Sequence, residues 1–206
     1  MKETTALLFA LTLMAGCISI PIVHTKTPTA ADMDKLGCLA AKGRLAAIDE
    51  LAMTAEALYQ DIDYEKDHAR VANNLVLMRA AFTPIGTLAG KGSQTALDAL
   101  QYANGNPRLR SFTPDAFGIA AGMGNTEALD VLLNYKEHGF LLSSTVFALR
   151  PAAEKNIPEA VNFLVEVMND PRHKALWRGA SKGLVGAAAL GNQAAQEALE
   201  NYSRAE

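Results

Sequence analysis

Hydrophobic and polar positions along this chain come in blocks, and the blocks recur. Small apolar residues gather into short runs, each run stops at a Gly or Asn, and a fresh stretch follows with Ala and Leu spaced for one helical face. The segments are "LAAKGRLAAIDEL" (39–51), "LAGKGSQTALDAL" (88–100), "AAGMGNTEALDVL" (120–132), "AAEKNIPEAVNFL" (152–164) and "AALGNQAAQEAL" (188–199). Their pivots are Gly43, Gly92, Gly124, Asn156 and either Gly191 or Asn192. The intervals are 49, 32, 32 and about 35 residues. Gly and Asn tolerate the left-handed backbone that closes a helix, so each pivot predicts a turn between two helices. A period in the thirties with two apolar helical stretches per unit predicts an all-α chain, a short solenoid of roughly four to five stacked antiparallel helix pairs. Residues 32–80 are less regular. "MDKLGCLAAKG" and "RLAAIDELAMTAEALYQ" read as two helices, with Leu45, Ile48, Leu51, Ala52, Ala55 and Leu58 on one face of the second. This stretch suits the atypical capping unit that a solenoid needs at its end.

Composition supports helices over sheets. Half of the 206 residues are hydrophobic but only 6% are aromatic, so the core must be built from Ala and aliphatic side chains packed at short range. The net charge of −3 carries no basic bias, and nothing at the whole-chain level points to nucleic acid. Two cysteines, Cys17 and Cys38, are too few for a disulfide framework.

The start of the chain has a different pattern. Residues 4–16 are uncharged, and Ala6 to Ala15 form a short apolar run behind Met1-Lys2-Glu3. The run is too short to span a bilayer comfortably and fits the apolar region of an export signal. It ends in Leu13-Met14-Ala15-Gly16-Cys17, which resembles a bacterial lipobox, with Met14 in place of the favoured Leu. The resemblance implies cleavage before Cys17 and lipidation of its thiol. Three acyl chains exceed what stable anchoring requires. Ile18, where Asp would mark retention at the inner membrane, implies the periplasmic face of the outer membrane. Residues 18–30, "ISIPIVHTKTPTA", have no helical period and read as a tether, reaching roughly 45 Å when extended. The expected organisation is a signal peptide over 1–16, a lipidated Cys and tether over 17–31, and the repeat domain over 32–206.

Two segments between pivots, "NGNPRLRSFTPDAFGIAAG" (104–122) and "NDPRHKALWRGASKGLVGAAA" (169–189), begin with an Asn/Pro turn and carry an Arg eight residues before a Gly: Arg110 to Gly118, and Arg178 to Gly186. Together with "AVNFLVEVMNDP" (160–171), they resemble HEAT repeats over residues 80–200. That resemblance implies stacked helix pairs, with Arg110 and Arg178 tying neighbouring units. Ankyrin is the alternative, since "TPIGTLAGKG" (83–92) is similar to its opening, without the His at the fourth position.

Candidate chemistry is sparse. "DIDYEKDH" (61–68) alternates Asp61, Asp63, Glu65 and Asp67 ahead of His68. It departs from a calcium loop at the sixth position, Lys66, and at the twelfth, Ala72. A helix start enriched in acids accounts for the run equally well. Asp61, Asp63, Asp67 and His68 are therefore only weak metal candidates, and no cofactor motif is present. The histidines at 68, 138 and 173 have no close-spaced partner, and His24 lies in the tether. Cys38 sits in an apolar helical context and reads as a small buried hydrophobe. Lys174, Arg178 and Lys182 fall at i, i+4 and i+8 and, with Arg172, form a basic stripe beside Trp177. Its ordinary meaning is a solvated face; its functional meaning is a dock for an acidic partner or an anionic polymer.

The expected function is a non-catalytic, lipid-anchored envelope scaffold or adaptor that binds a protein or peptide through its helical-repeat surface, with Arg172, Lys174, Trp177 and Lys182 as partner-binding candidates. A metal-dependent or small-ligand-binding envelope protein using residues 61–68 is the alternative, and an immunity or inhibitor module is a third. Intact mass and membrane fractionation test the anchor: the wild type is expected to be triacylated and membrane-bound, and Cys17→Ala soluble and unmodified.

Overall fold

A computed structural model of the chain describes residues 28–60, 62–137 and 139–205. The lipobox, Cys17, most of the tether, Asp61 and His138 lie outside the described residues. The protein is all-helical. The helices are α1 (Ala30–Ala41), α2 (Leu45–Tyr59), α3 (His68–Gly90), α4 (Gln94–Gly105), α5 (Thr113–Gly122), α6 (Thr126–Asn134), α7 (Gly139–Ala148), α8 (Arg150–Glu154), α9 (Pro158–Asn169), α10 (Trp177–Ala189) and α11 (Gln193–Ala205). Short 3-10 turns at Arg110–Phe112, Tyr135–Glu137 and Pro171–Leu176 link successive pairs. Helix α1 reaches back into the segment read as a tether: it starts at Ala30, and Thr29 caps it through a reciprocal pair of bonds with Asp32, ahead of the expected boundary at 32.

The pivots are the turns within the pairs. Gly43, Gly92, Gly124, Asn156 and Gly191 all have positive φ, between 59° and 97°, which settles the last pivot on Gly191. The hydrogen bonding is the same at each. The pivot amide donates to the carbonyl three residues back, and the next amide donates to the carbonyl five back, as in Gly124 to Ala121 (2.9 Å) and Asn125 to Ala120 (3.1 Å). These bonds satisfy carbonyls that a helix end leaves open. The residue after the turn then caps the following helix: Ser93, Asn125 and Asn192 each accept from an amide three residues on. Asn125 also donates its Nδ2 to the Ala89 carbonyl of the preceding pair (3.0 Å), and Asn192 donates to Asn156 Oδ1 (2.7 Å). Asn125 therefore serves two helix ends, and Asn192 ties its own cap to the Asn156 side chain of the preceding turn, each bond spanning 36 residues.

The first members of the pairs, α1, α3, α5, α7 with α8, and α10, form one layer and pack extensively in sequence order. The second members, α2, α4, α6, α9 and α11, form the other layer and touch one another far less. The reason lies in the glycines of the first layer. A Cβ at Gly37 would lie 1.8 Å from the Ala81 carbonyl oxygen, one at Gly86 2.5 Å from that of Ala116, and one at Gly118 2.2 Å from that of Ala148. At Gly186 it would meet Glu154 Cα at 2.8 Å. Each glycine lets its helix rest directly on the backbone of its neighbour in the layer. Between the layers, Phe82, Phe117, Met33, Ile48 and Leu100 are fully buried among many alanines.

Some expectations need correction. Leu45 faces outward, 46% exposed, because it opens α2 beyond the contact zone. Thr83-Pro84, read as an ankyrin-type opening, lies inside α3. Three of the four connections between pairs contain a 3-10 turn, and none of the described connections is a hairpin.

Gly118→Ala is expected to lower unfolding stability by about 3 kcal/mol, since backbone has to move. Gly105→Ala, where no atom lies within 4 Å of the new methyl, is expected to change stability by less than about 1 kcal/mol, in the stabilising direction. Urea unfolding of the two variants checks both.

Candidate functional site

The residues of the basic stripe do not lie on one helix. Lys174 belongs to the 3-10 turn Pro171–Leu176, in which His173 breaks helical geometry, whereas Arg178 and Lys182 lie on α10. The turn is organised by Asp170. Its carboxylate accepts from the Arg172 backbone amide at 2.9 Å and from the Arg172 guanidinium at 2.6 and 3.0 Å. His173 Nε2 stands 3.6 Å away. The Arg172 side chain and amide hold the Asp170 carboxyl down to about 2. Arg172 is thus occupied within its own turn. Trp177 is half-buried and donates its indole N–H to the Asp170 carbonyl at 3.2 Å, while the Lys174 ammonium sits 6.0 Å over its ring. Trp177 fastens the turn to the start of α10.

The remaining cations of the stripe point outward. Arg178 and Lys182 are one turn apart on the exposed face of α10, and neither side chain forms a hydrogen bond or ion pair with a described residue; the Arg178 carbonyl accepts from the Ser181 hydroxyl. Arg178 does not tie neighbouring units as the HEAT resemblance implied. Arg110 makes a local bond: its Nε donates to the Asn104 carbonyl at the end of α4, six residues back. Beside it, Tyr135 donates to Asn104 Oδ1 at 2.5 Å, and Thr113 bonds to the Arg110 carbonyl, which joins three segments in one polar cluster. Burial raises the Tyr135 hydroxyl above its ordinary value, partly countered by Thr113 and the nearby Arg110 charge.

Next to α10, the exposed face of α7 carries two aromatic side chains that the sequence reading passed over. Phe140 is 68% exposed and Phe147 57%. They are seven residues apart, two turns along one face. The signal was hidden because "GFLLSSTVFA" is apolar all round, so periodicity does not separate its outer face from its inner one. Val185 on α10 is exposed to a similar degree, and the Phe147 ring lies against Gly179.

The acidic segment precedes α3. Asp67 is the N-cap residue of that helix without a side-chain cap bond, and no acid falls in the first turn. Asp63 pairs with Lys66 at 2.7 Å and accepts from the Glu65 amide, contacts that lower its carboxyl, with Lys66 the main cause. Asp67 turns back to the Asp63 amide, and His68 opens α3. Among the described residues no three His, Cys, Asp or Glu side chains group as metal ligands. Cys38 is half-buried and not sequestered as expected. An open cleft of about 670 Å³ lies at the end of α4 beside Tyr102, Asn106 and Arg108. Two of its polar groups are engaged, Tyr102 with Asp49 and Arg108 with Glu56.

No protein-family model, curated protein or solved structure matches this chain. No described helix is long and apolar enough to cross a membrane.

Because the folded-state value of Asp170 lies below the ordinary 3.8, its contribution to the turn is complete above about pH 4 and is lost as the pH falls through about 2. A carboxyl-carbon NMR titration is expected to place the Asp170 midpoint near 2, and Arg172→Ala to move it back towards the ordinary range.

Proposed function

We propose that this protein is a lipid-anchored envelope scaffold, non-catalytic, that binds a protein or peptide partner along the outward face of its first helical layer. The row of pairs is read as a short solenoid, because each pair packs on its neighbours in sequence. Backbone-to-backbone contacts draw the first-layer helices close together while the second-layer helices diverge. A stack built this way curves towards its tighter side, which makes the first layer the concave one. The single observation that carries the reading is the run of glycines that brings this layer together. The motif Leu13-Met14-Ala15-Gly16-Cys17 supports the anchor and the outer-membrane location, and residues 18–28 supply the reach.

A photo-reactive residue tests the surface. Placed in cells at Thr83 or Ser143, on the first layer, it is expected to give discrete crosslinked species identifiable by mass spectrometry. At Met53 or Glu197, on the second layer, none is expected. Equal or reversed yields would reject the concave face as the binding surface.

A further inference from the structure

Resting on the scaffold reading, we infer that the corner where α7 meets α10 docks an acidic segment of a partner protein that carries aromatic or long aliphatic side chains. The apolar part is Phe140 and Phe147 on α7 with Val185 on α10, all more than half exposed. Phe140 and Phe147 present two rings on one helical face, a spacing that matches side chains on successive turns of a bound helix. Gly179 forms the floor beneath Phe147: a Cβ there would stand 3.2 Å from the ring, so any larger residue would lift it. Gly183, one turn on, lies against Arg150, which keeps α8 and α10 in contact along the patch.

The charge around these rings is one-sided. Arg178 and Lys182 project from the exposed face of α10 with no carboxylate among the described residues to meet them. Lys174, in the 3-10 turn before that helix, rests on Trp177. The nearby acids are committed elsewhere: Glu154 to Arg150 at 2.5 Å, Asp170 to Arg172 at 2.6 Å, and Glu166 to Lys136. A partner with carboxylates flanking its apolar residues satisfies both halves of the patch, because the ammonium and guanidinium groups gain partners while the rings leave water. On that same reading the first layer is the concave one, and a flat bilayer would meet only its rim.

The test uses the full-length chain in detergent and three fluorescent helical peptides. These share the same Leu and Phe positions and carry Glu, Gln or Lys at every polar position. The Glu peptide is expected to bind about ten-fold more tightly than the Lys peptide at low salt, with the difference shrinking as salt rises. Arg178→Glu with Lys182→Glu is expected to reverse the order, and Phe140→Ser to weaken all three peptides. Both sites are exposed, so an unchanged melting temperature confirms that the variants are folded. Equal binding of the three peptides, or a Glu preference that survives charge reversal, would overturn the inference. So would full displacement of the Glu peptide by phosphatidylglycerol vesicles, which would assign the patch to a lipid surface. Loss of the peptide preference with crosslinks at Thr83 retained rejects this inference alone. Retained preference with no crosslinks anywhere on the first layer rejects the scaffold reading alone.

Discussion

The direct seating of one helix on the backbone of the next governs this structure. In the first layer, Gly37, Gly86, Gly118 and Gly186 each lie where a single methyl would strike the main chain of the neighbouring helix. Side chains elsewhere in the core can exchange volume with their neighbours, whereas a backbone carbonyl cannot yield without moving its whole helix. The contacts fix the axial position of each first helix on the next. The second helices, held at the far end of a shared turn, follow from that placement.

The five turns complement this constraint. Each uses the same two backbone bonds, and three of them place a capping residue directly afterwards. Asn125 and Asn192 extend the arrangement across pairs, Asn125 by capping the Ala89 carbonyl of the preceding pair and Asn192 by bonding the Asn156 side chain. The clustered polar groups at Asn104, Thr113 and Tyr135 do similar work on the opposite edge, where the 3-10 turns run. Polar bonds thus sit at both edges and apolar packing lies between them, as expected where open helix ends cannot be left in a dry interior.

The all-helical class and the pivots were legible because they rest on local chemistry. A Gly or Asn after a run of small residues dictates a left-handed turn whatever surrounds it. The pairing partners were less legible, because the residues that touch across pairs are alanines and glycines with no distinguishing pattern. The basic stripe shows the limit. The i, i+4, i+8 spacing of Lys174, Arg178 and Lys182 implied one continuous helix, but Asp170 builds a separate turn and engages Arg172 within it. The spacing alone carried no sign of that turn, since its cause is a side chain bonding to the residue two positions on. Phe140 and Phe147 were invisible for the opposite reason: a helix apolar on every side gives no phase from which to read its exposed face. The sequence also suggested that the acids of 61–68 load the first turn of a helix; Asp63, Glu65 and Asp67 precede that turn, and Lys66 neutralises Asp63.

Unequal packing in the two layers has a mechanical consequence. Where Gly118 meets Ala148, the helices are bound main chain to main chain and behave as a stiff spine. The second-layer helices, which touch sparingly, are free to fan out or draw together about it. Bending strain therefore concentrates away from the spine, in side-chain gaps that slide at little cost. Such an array can change the spacing of its second-layer helices while keeping the spacing of the groups along its spine constant, much as a leaf spring bends without changing length.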